Sequence, residues 1–333
     1  MMMKPFKIGI SGEGLRPLGL SPFETLDWAI MNDADGVQFS GPGPDPDRDI
    51  DRSFLKELAE YAEENHLYLE WGGAEHFPFD PAGGGPRDLA AVNRKAAETA
   101  RALGLSMVLS RSNGPARWSP KALPPGDLVG LIAANLKDEI PVLRDLGIVL
   151  ALEPGHDLST FDLLRVFELT ETGPGERFGV SFDTLAPLTL LEDPVAAVTR
   201  LLPWIVAARV RDGGLALSGD GVTSFAAEAG TGVVDLSAIF AKLSILDRKV
   251  HLSLEDHGGD TLVPVFDPAV MTGYPDLASS ELLAVLRLAT RTQELLDEGK
   301  LAILEPRGWA EHGERRIKRG LRALRRIVEE GGR

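Results

Sequence analysis

Ile148-Val-Leu-Ala-Leu-Glu153 is a short, β-rich apolar run that ends in a carboxylate. Two later runs have the same form, Phe178-Gly-Val-Ser-Phe-Asp183 and Val250-His-Leu-Ser-Leu-Glu255. Each run is short enough to be a buried strand, and each is followed within a few residues by glycine or proline. Burying an isolated carboxylate is costly unless a cation or hydrogen-bond donors meet it. Three runs of this form predict that their terminal carboxylates converge on one site.

Amphipathic segments alternate with apolar runs along the whole chain. The expected strands lie at 6–11, 35–40, 67–71, 106–111, 148–153, 178–183, 205–211 and 250–255. The expected helices lie at 22–31, 52–65, 88–103, 127–146, 160–169, 194–202, 236–246, 280–298 and 310–329. Strands alternating with helices in this number predict an α/β protein that forms a single (β/α)8 TIM barrel over 1–333, with 299–333 as a C-terminal helical extension.

The barrel prediction gives the terminal carboxylates a common location. Active sites in this architecture lie at the C-terminal ends of the strands. Glu153, Asp183, Arg209 and Glu255 stand at or near the ends of the predicted fifth to eighth strands, which are neighbours around the barrel. We therefore expect one cluster. No G-x-G-x-x-G follows the first strand, which argues against a dinucleotide-binding sheet.

Composition excludes several classes of partner. The 333 residues carry 35 Lys and Arg against 50 Asp and Glu, a net charge of -15, which disfavours nucleic acid. The absence of cysteine excludes thiolate chemistry and disulfides, and it fits a reducing compartment. No run approaches the roughly 20 apolar residues that span a bilayer, and we expect a cytoplasmic protein without a membrane partner.

Four short segments together resemble a known superfamily. They are Leu152-Glu-Pro154, Ser181-Phe-Asp183, Gly230-Thr-Gly-Val-Val-Asp235 and Leu254-Glu-Asp256. In this order they resemble the xylose-isomerase-like TIM barrels, which include sugar isomerases, ketose epimerases, inosose dehydratases and apurinic endonucleases. The resemblance implies that Glu153, Asp183 and Glu255 bind one divalent cation (manganese, magnesium, cobalt or zinc). It also implies that Glu153 and Glu255 are the catalytic acid and base.

The sequence departs from that superfamily on the seventh strand. Where the family has H-x-K-D, this chain has Arg209-Val-Arg-Asp212, and Ala186 replaces a histidine of the epimerases. Arginine has no lone pair for a metal. Two interpretations remain open: a metal whose missing imidazole is replaced by His257 or a water, or no metal, with the guanidinium of Arg209 as the positive charge.

Further polar residues are candidates for binding substrate. Arg209 suits a carboxylate or phosphate, which a guanidinium binds in a bidentate manner. The remaining candidates follow strands on the functional side of the barrel: Glu70, Arg111, His76, His156 and His257.

These features predict an isomerase or epimerase of a small sugar or sugar acid, acting next to a carbonyl through an enediolate that a cation stabilises. One alternative is a metal-dependent or metal-free decarboxylase of an oxo sugar acid. The segments Leu69-Glu-Trp-Gly-Gly73, Glu255-Asp-His-Gly-Gly259 and Gly273-Tyr-Pro-Asp276 resemble the branch that contains 3-oxo-isoapionate decarboxylase. A second alternative is a sugar-binding barrel without catalysis, and a homo-oligomer is compatible with each.

Overall fold

The computed structural model describes residues 6–41, 51–80, 85, 87–303 and 309–331. The strands are β1 Ile8–Ser11, β2 Gly36–Phe39, β3 Tyr68–Trp71, β4 Ala74–Glu75, β5 Met107–Arg111, β6 Val149–Glu153, β7 Phe178–Asp183, β8 Ile205–Val210, β9 Asp212–Leu217, β10 Val222–Ala227, β11 Leu252–Leu254 and β12 Asp260–Val263.

The helices are α1 Pro22–Met31, α2 Arg52–Glu64, α3 Leu89–Ala102, α4 Pro125–Leu146, α5 Thr160–Thr170, α6 Ala186–Thr189, α7 Pro194–Leu201, α8 Leu236–Leu243, α9 Pro268–Met271, α10 Ser279–Asp297 and α11 Trp309–Gly331. Short 3-10 segments cover Gly12–Leu18 and Leu202–Trp204. None of the helices in the described ranges combines the length and apolar character needed to cross a membrane.

One curved parallel sheet forms the barrel. Its strand order is β3-β2-β1-β11-β8-β7-β6-β5-β4. The two ends of this order, β3 and β4, are separated along the chain only by Gly72 and Gly73. A Cβ on Gly72 would lie 2.8 Å from the carbonyl oxygen of Ser40, so the backbones approach closely at this break. The predicted (β/α)8 barrel is confirmed, with β4 a short continuation of the third barrel strand.

Local sequence signals set the ends of the helices. At α1 the Ser21 hydroxyl accepts from the Glu24 amide at 3.3 Å, and the Glu24 carboxylate accepts from the Ser21 amide at 2.8 Å. This capping box satisfies two amides that a helix start leaves unpaired, and Pro22 occupies the first turn. The predicted start of α1 is therefore confirmed.

Two segments that lie between the predicted elements, 212–235 and 256–279, contain a second sheet. β9 and β10 form an antiparallel hairpin, and β12, from the segment after β11, pairs with β10 in the order β12-β10-β9. We call these three strands the cap. Ser218-Gly-Asp-Gly221, between two apolar runs, is the hairpin signal in the sequence.

Asp212 fixes the base of the cap. Its carboxylate accepts hydrogen bonds from the amides of Gly230 and Gly232, each at 2.9 Å, and from the amide of Val234 at 3.2 Å. A Cβ on Gly232 would lie 2.2 Å from a carboxylate oxygen of Asp212. Burial nevertheless raises the pKa of Asp212 to about 6. The Gly-x-Gly segment that resembles the superfamily is thus a cradle of amides around a buried carboxylate.

The last two helices have different roles. α11 packs against β1 and β11, between α8 and α1. α10 instead packs on β9 of the cap, where Thr292 accepts a hydrogen bond from the Leu215 amide at 3.0 Å. α11 therefore completes the layer of helices around the barrel, and α10 is the additional helix. Amphipathic periodicity marks both as helices but does not reveal which surface each one covers.

A buried ion pair holds α11 to the barrel. Arg316 donates to Asp256 through Nε at 2.8 Å and Nη2 at 3.0 Å. The two side chains are 8% and 3% exposed. On the same helix, Arg319 makes a similar pair with Glu228, but that side chain is 51% exposed. The two arginines form a matched comparison of a buried and an exposed pair.

Replacing Arg316 by methionine leaves Asp256 buried without its cation. We expect the free energy of unfolding to fall by about 3–5 kcal/mol, whereas Arg319→Met lowers it by less than about 1 kcal/mol. Urea unfolding at neutral pH measures both. Asp256→Asn added to the Arg316 variant is expected to restore part of the loss. Equal losses in the free energy of unfolding for the two arginine variants contradict the conclusion that the buried pair stabilises the fold more than the exposed pair does.

His76, just after β4, is 1% exposed and shares a hydrogen bond with the Ser110 hydroxyl at 2.9 Å. Burial lowers its pKa to about 3. The unfolded chain therefore binds a proton below the ordinary histidine pKa while the folded chain does not. The stability that neutral His76 contributes is present above about pH 6.5 and is lost as the pH falls toward about 3.

From about pH 7 to about pH 5, we expect the free energy of unfolding to fall by less in His76→Asn than in the parent protein. The two decreases should differ by about 2 kcal/mol, measured by urea unfolding at both pH values. The control is His66→Asn, because His66 is exposed and asparagine tolerates its positive φ of 59°. An identical pH dependence for the His76 variant and the parent contradicts the prediction.

Candidate functional site

A cavity of about 400 Å³ lies at the C-terminal ends of the barrel strands, under the cap. Its charged and imidazole-bearing lining residues are Glu13, Arg111, Glu153, His156, Asp183, Arg209, Arg211, Glu255, His257 and Asp260. The strand ends supply the floor, and β10 and β12 supply part of the wall. The structure places the carboxylates of Glu153, Asp183 and Glu255 around this one cavity, as the sequence predicts.

Arg209 is the centre of this cluster. Its Nη1 donates to Glu153 at 2.5 Å, and its Nε lies 3.1 Å from a carboxylate oxygen of Glu255. The same Nε donates to the side-chain oxygen of Gln38 at 3.0 Å. The Ser11 hydroxyl donates to Glu255 at 2.8 Å. The guanidinium of Arg209, from β8, therefore contacts side chains from β2, β6 and the end of β11.

The position of Arg209 follows from the strand register. β8 pairs with β7 on one side, where Asp183 is the partner of Arg209, and with β11 on the other, where Ser253 is. Its neighbours Ala207 and Ala208 are small and fully buried. The side chain is 5% exposed, so its charge lies in the barrel interior. A buried cation needs anionic partners, and the adjacent strands supply them.

The two glutamates have pKa values displaced in opposite directions. Burial raises the pKa of Glu153, and the charge of Glu255 adds to this, against the attraction of Arg209. Burial alone would also raise the pKa of Glu255, but Arg209, His257 and Arg211 outweigh it and hold that pKa well below its usual range. Glu255 is thus held in its ionised form, whereas Glu153 binds a proton more readily than an ordinary glutamate does.

Glu153 also has an unpaired oxygen. Arg209 binds Oε1, whereas Oε2 is buried and has no partner among the described residues. An oxygen in this situation can receive a proton or a hydrogen bond from a ligand. Glu255, by contrast, has partners on both oxygens, with His257 at 3.2 Å from Oε1.

Asp183 and Arg211 form a second ionic contact in the cavity. Asp183 accepts hydrogen bonds from the amides of Leu185 at 2.8 Å and Ala186 at 3.1 Å. Its other oxygen is 3.4 Å from Nη1 of Arg211. The Nε of Arg211 is buried without a partner in the part of the chain that the structure describes.

The other candidates from the sequence divide into two groups. Arg111 and His156 line the cavity: Arg111 pairs with Glu13 at 3.1 Å and donates to Ser40 at 2.5 Å, and His156 lies 3.0 Å from the Thr189 hydroxyl. His257 also lines it, with its side chain 43% exposed.

Glu70 and His76 do not line the cavity. Glu70 lies in the barrel interior, where it accepts from Gln38 at 2.7 Å and from Ser253 at 3.3 Å. Gln38 connects it to Arg209, so Glu70 supports the cluster without facing its cavity. His76 is enclosed beside Ser110 on β5, as described above. The sequence placed both residues at strand ends but could not show whether either one reaches the cavity.

The arrangement does not fit a divalent metal. Arg209 lies between Glu153 and Glu255, and the oxygens of Asp183 are bound to amides and to Arg211. Within the described ranges, no three His, Asp or Glu side chains are grouped so that they could hold a metal ion. Of the predicted ligands, Glu153, Glu255 and Asp183 contact guanidinium groups, and His257 contacts Glu255. A guanidinium charge, that of Arg209, lies between the two glutamates.

Several site residues were not identified from the sequence: Ser11, Glu13, Gln38, Arg211 and Ser224. A signal existed for two of them. Ser11 and Gln38 are polar residues within otherwise apolar strand runs, and such residues are costly to bury unless they have partners. Arg211 belongs to the Arg209-Val-Arg-Asp212 segment, but that segment alone does not indicate a separate role for it. Ser224 stands on β10, which is not among the predicted elements.

Solved structures are similar to this chain over most of its length. One is a xylose isomerase domain protein from Planctomyces limnophilus, with 17% identity, 88% of this chain and 100% of that chain covered, and a TM-score of 0.55. Another is an L-ribulose 3-epimerase, with 17% identity, coverage of 89% and 96%, and a TM-score of 0.56. A third is the IolI protein with a binding zinc atom, with 15% identity, coverage of 88% and 98%, and a TM-score of 0.53.

No protein-family model and no curated protein matches the sequence. Sequence identities this low support a shared fold but do not establish a shared activity. The strand order, the site at the C-terminal strand ends and these structural similarities agree with the resemblance in the short sequence segments. The chain has the fold of the xylose-isomerase-like TIM-barrel superfamily.

Proposed function

We propose that the protein is an isomerase- or epimerase-type enzyme that moves a proton next to the carbonyl of a small sugar or sugar acid. The observation that carries this proposal is the pair Glu153 and Glu255, which share Arg209 but have pKa values displaced in opposite directions. The structural similarity to sugar epimerases supports it.

Glu153 is the group that transfers the proton. Its raised pKa and its unpaired Oε2 allow it to accept a proton from the carbon beside the carbonyl and to return it. When the C–H bond breaks, its electron pair moves toward the carbonyl oxygen and an enediolate forms. Return of the proton by Glu153 to the neighbouring carbon, with transfer of the hydroxyl proton between the two oxygens, gives isomerisation. Epimerisation requires a second acid besides Glu153 to deliver a proton to the opposite face of the original carbon.

Arg209 stabilises the negative charge that develops on the oxygen. It is buried and held on both sides by carboxylates, so its position does not change when the charge appears. Glu255 remains ionised, orients Arg209 and holds His257, whose ring lies at the open side of the cavity. In this proposal Glu255 acts through these neighbours.

A second candidate is the decarboxylation of an oxo sugar acid. The observation that favours it is the presence of three arginines in one cavity, since a guanidinium binds carboxylates well. Loss of carbon dioxide would leave an enolate on the same oxygen, with Arg209 as its cation and Glu153 as the proton donor. Release of carbon dioxide from a 3-oxo sugar acid distinguishes this reaction from isomerisation.

The acid–base role of Glu153 is tested by exchange of protons with solvent. We expect the protein to introduce deuterium from heavy water beside the carbonyl of a small ketose or oxo sugar acid, followed by NMR. Glu153→Gln is expected to slow this by about 10²- to 10⁴-fold. In the parent, kcat/KM rises with pH through the pKa of Glu153, which lies above its usual range, because the carboxylate must be ionised to take the proton.

Glu139→Gln is the matched control. Glu139 is buried away from the cavity, where Asn93 donates to it at 2.7 Å. Burial raises its pKa to about 8, so it is already neutral at pH 7 and an amide replaces it closely. We expect no change in exchange. Full activity in the Glu153 variant contradicts the proposed role, and no exchange or turnover with any carbonyl sugar favours a sugar-binding barrel without catalysis.

The role of Arg209 as the cation is tested with metal ions. Arg209→His supplies an imidazole beside Glu153 and Glu255, and we expect this variant to gain a site for manganese or zinc, seen as a rise in melting temperature with added metal. Arg111→His is the control, because Arg111 pairs with the single carboxylate of Glu13. One metal ion per chain in the parent protein, bound as tightly as in the Arg209 variant, contradicts the proposal.

A further inference from the structure

We infer that Arg211 and Ser224 form a subsite for an oxyanion group of the ligand, a carboxylate or a phosphate. The inference rests on the proposed function, since it names the class of molecule that the same cavity takes. Both residues line the cavity, one from the end of the barrel strand and the other from the cap. Each has a buried polar atom without a partner among the described residues.

The guanidinium of Arg211 has an unused edge. Its contact to Asp183, at 3.4 Å, is made through Nη1. Nε and Nη2 lie on one edge of a guanidinium, and here Nε is buried and unpartnered within the described chain. Two parallel N–H groups on that edge match the two oxygens of a carboxylate or phosphate. A ligand bound there need not displace Asp183, whose other oxygen is held by backbone amides.

Ser224 is a polar exception on the inner face of the cap. Val222 and Ala226, which alternate with it on β10, are buried in the main core, whereas Phe225 and Ala227 pack with Leu295 on the opposite side. Ser224 is 3% exposed and lines the cavity, yet its hydroxyl has no partner in the described ranges. A ligand atom in the cavity would satisfy this hydroxyl.

The other two arginines are committed to protein groups. Arg209 binds Glu153, Glu255 and Gln38, and Arg111 binds Glu13 and Ser40. Arg211 has a single long ionic contact. It is therefore the arginine of the cavity with most capacity for an external anion. This replaces the expectation from the sequence, which assigned anion binding to Arg209.

The inference is tested by calorimetric titration in the Glu153→Gln background, where turnover does not interfere. The probes are D-gluconate, D-glucose 6-phosphate and neutral D-glucitol. We expect at least one charged probe to bind at least about 10-fold more tightly than D-glucitol. The comparison of the two charged probes separates a carboxylate site from a phosphate site.

Variants locate the subsite. Arg211→Gln is expected to weaken binding of the charged probe by about 10- to 100-fold, and Ser224→Ala by about 3- to 10-fold, with little effect on D-glucitol. Arg211→Lys keeps a charge beside Asp183 but loses the planar edge, so it should fold like the parent and still bind the anion less tightly. Arg111→Gln tests whether the other cavity arginine binds the anion instead, and we expect it to weaken binding less than Arg211→Gln does.

Two results overturn the inference. One is the absence of any preference for the charged probes, including no binding of all three. The other is loss of anion binding in the Arg111 variant with normal binding in both Arg211 variants. Because these are binding measurements, they stand apart from the exchange experiment that tests proton transfer by Glu153. Exchange activity without anion preference would retain the proposed function and reject the subsite.

Discussion

The positive charge of Arg209 in the barrel interior is the constraint on which the site depends. Two glutamates, a glutamine and a serine from neighbouring strands converge on or beside it, in a region where water does not screen them. Removing the guanidinium would leave Glu153 and Glu255 buried next to each other without the cation that contacts both, which is strongly destabilising. The charge of Arg209 therefore stabilises the folded barrel, and in the proposed reaction the same charge stabilises the negative oxygen that forms when a proton leaves the carbon beside a carbonyl.

Polar contacts extend from this cluster into the barrel. Gln38 connects Arg209 to Glu70, and Ser253 connects Glu70 to the Tyr68 hydroxyl at 2.8 Å. These side chains fix the orientation of Gln38, whose oxygen faces the guanidinium. A fully connected network of this kind defines one geometry in an interior that apolar packing alone would specify less sharply.

The cap and α11 act on the same side of the barrel. The cap begins directly after β8, which carries Arg209, and its third strand follows β11 and Glu255. α11 binds Asp256, the neighbour of Glu255, through Arg316. Segments outside the barrel strands thus hold the two strand ends on which the central ion pairs depend. Insertions at these positions enclose a cavity while leaving the parallel sheet unchanged.

The sequence by itself determined the elements of the barrel and the four strand ends that meet, because alternation of apolar runs and the C-terminal position of polar residues are local patterns. Glu153, Asp183, Arg209 and Glu255 could be found in this way. The tertiary structure decided the partners: that Arg209 occupies the space between the glutamates, that Glu70 and His76 do not line the cavity, and that α10 covers the cap while α11 closes the ring. These contacts depend on which side chains pack together in the folded protein. The burial energies and pKa shifts follow from neighbours that are distant along the chain.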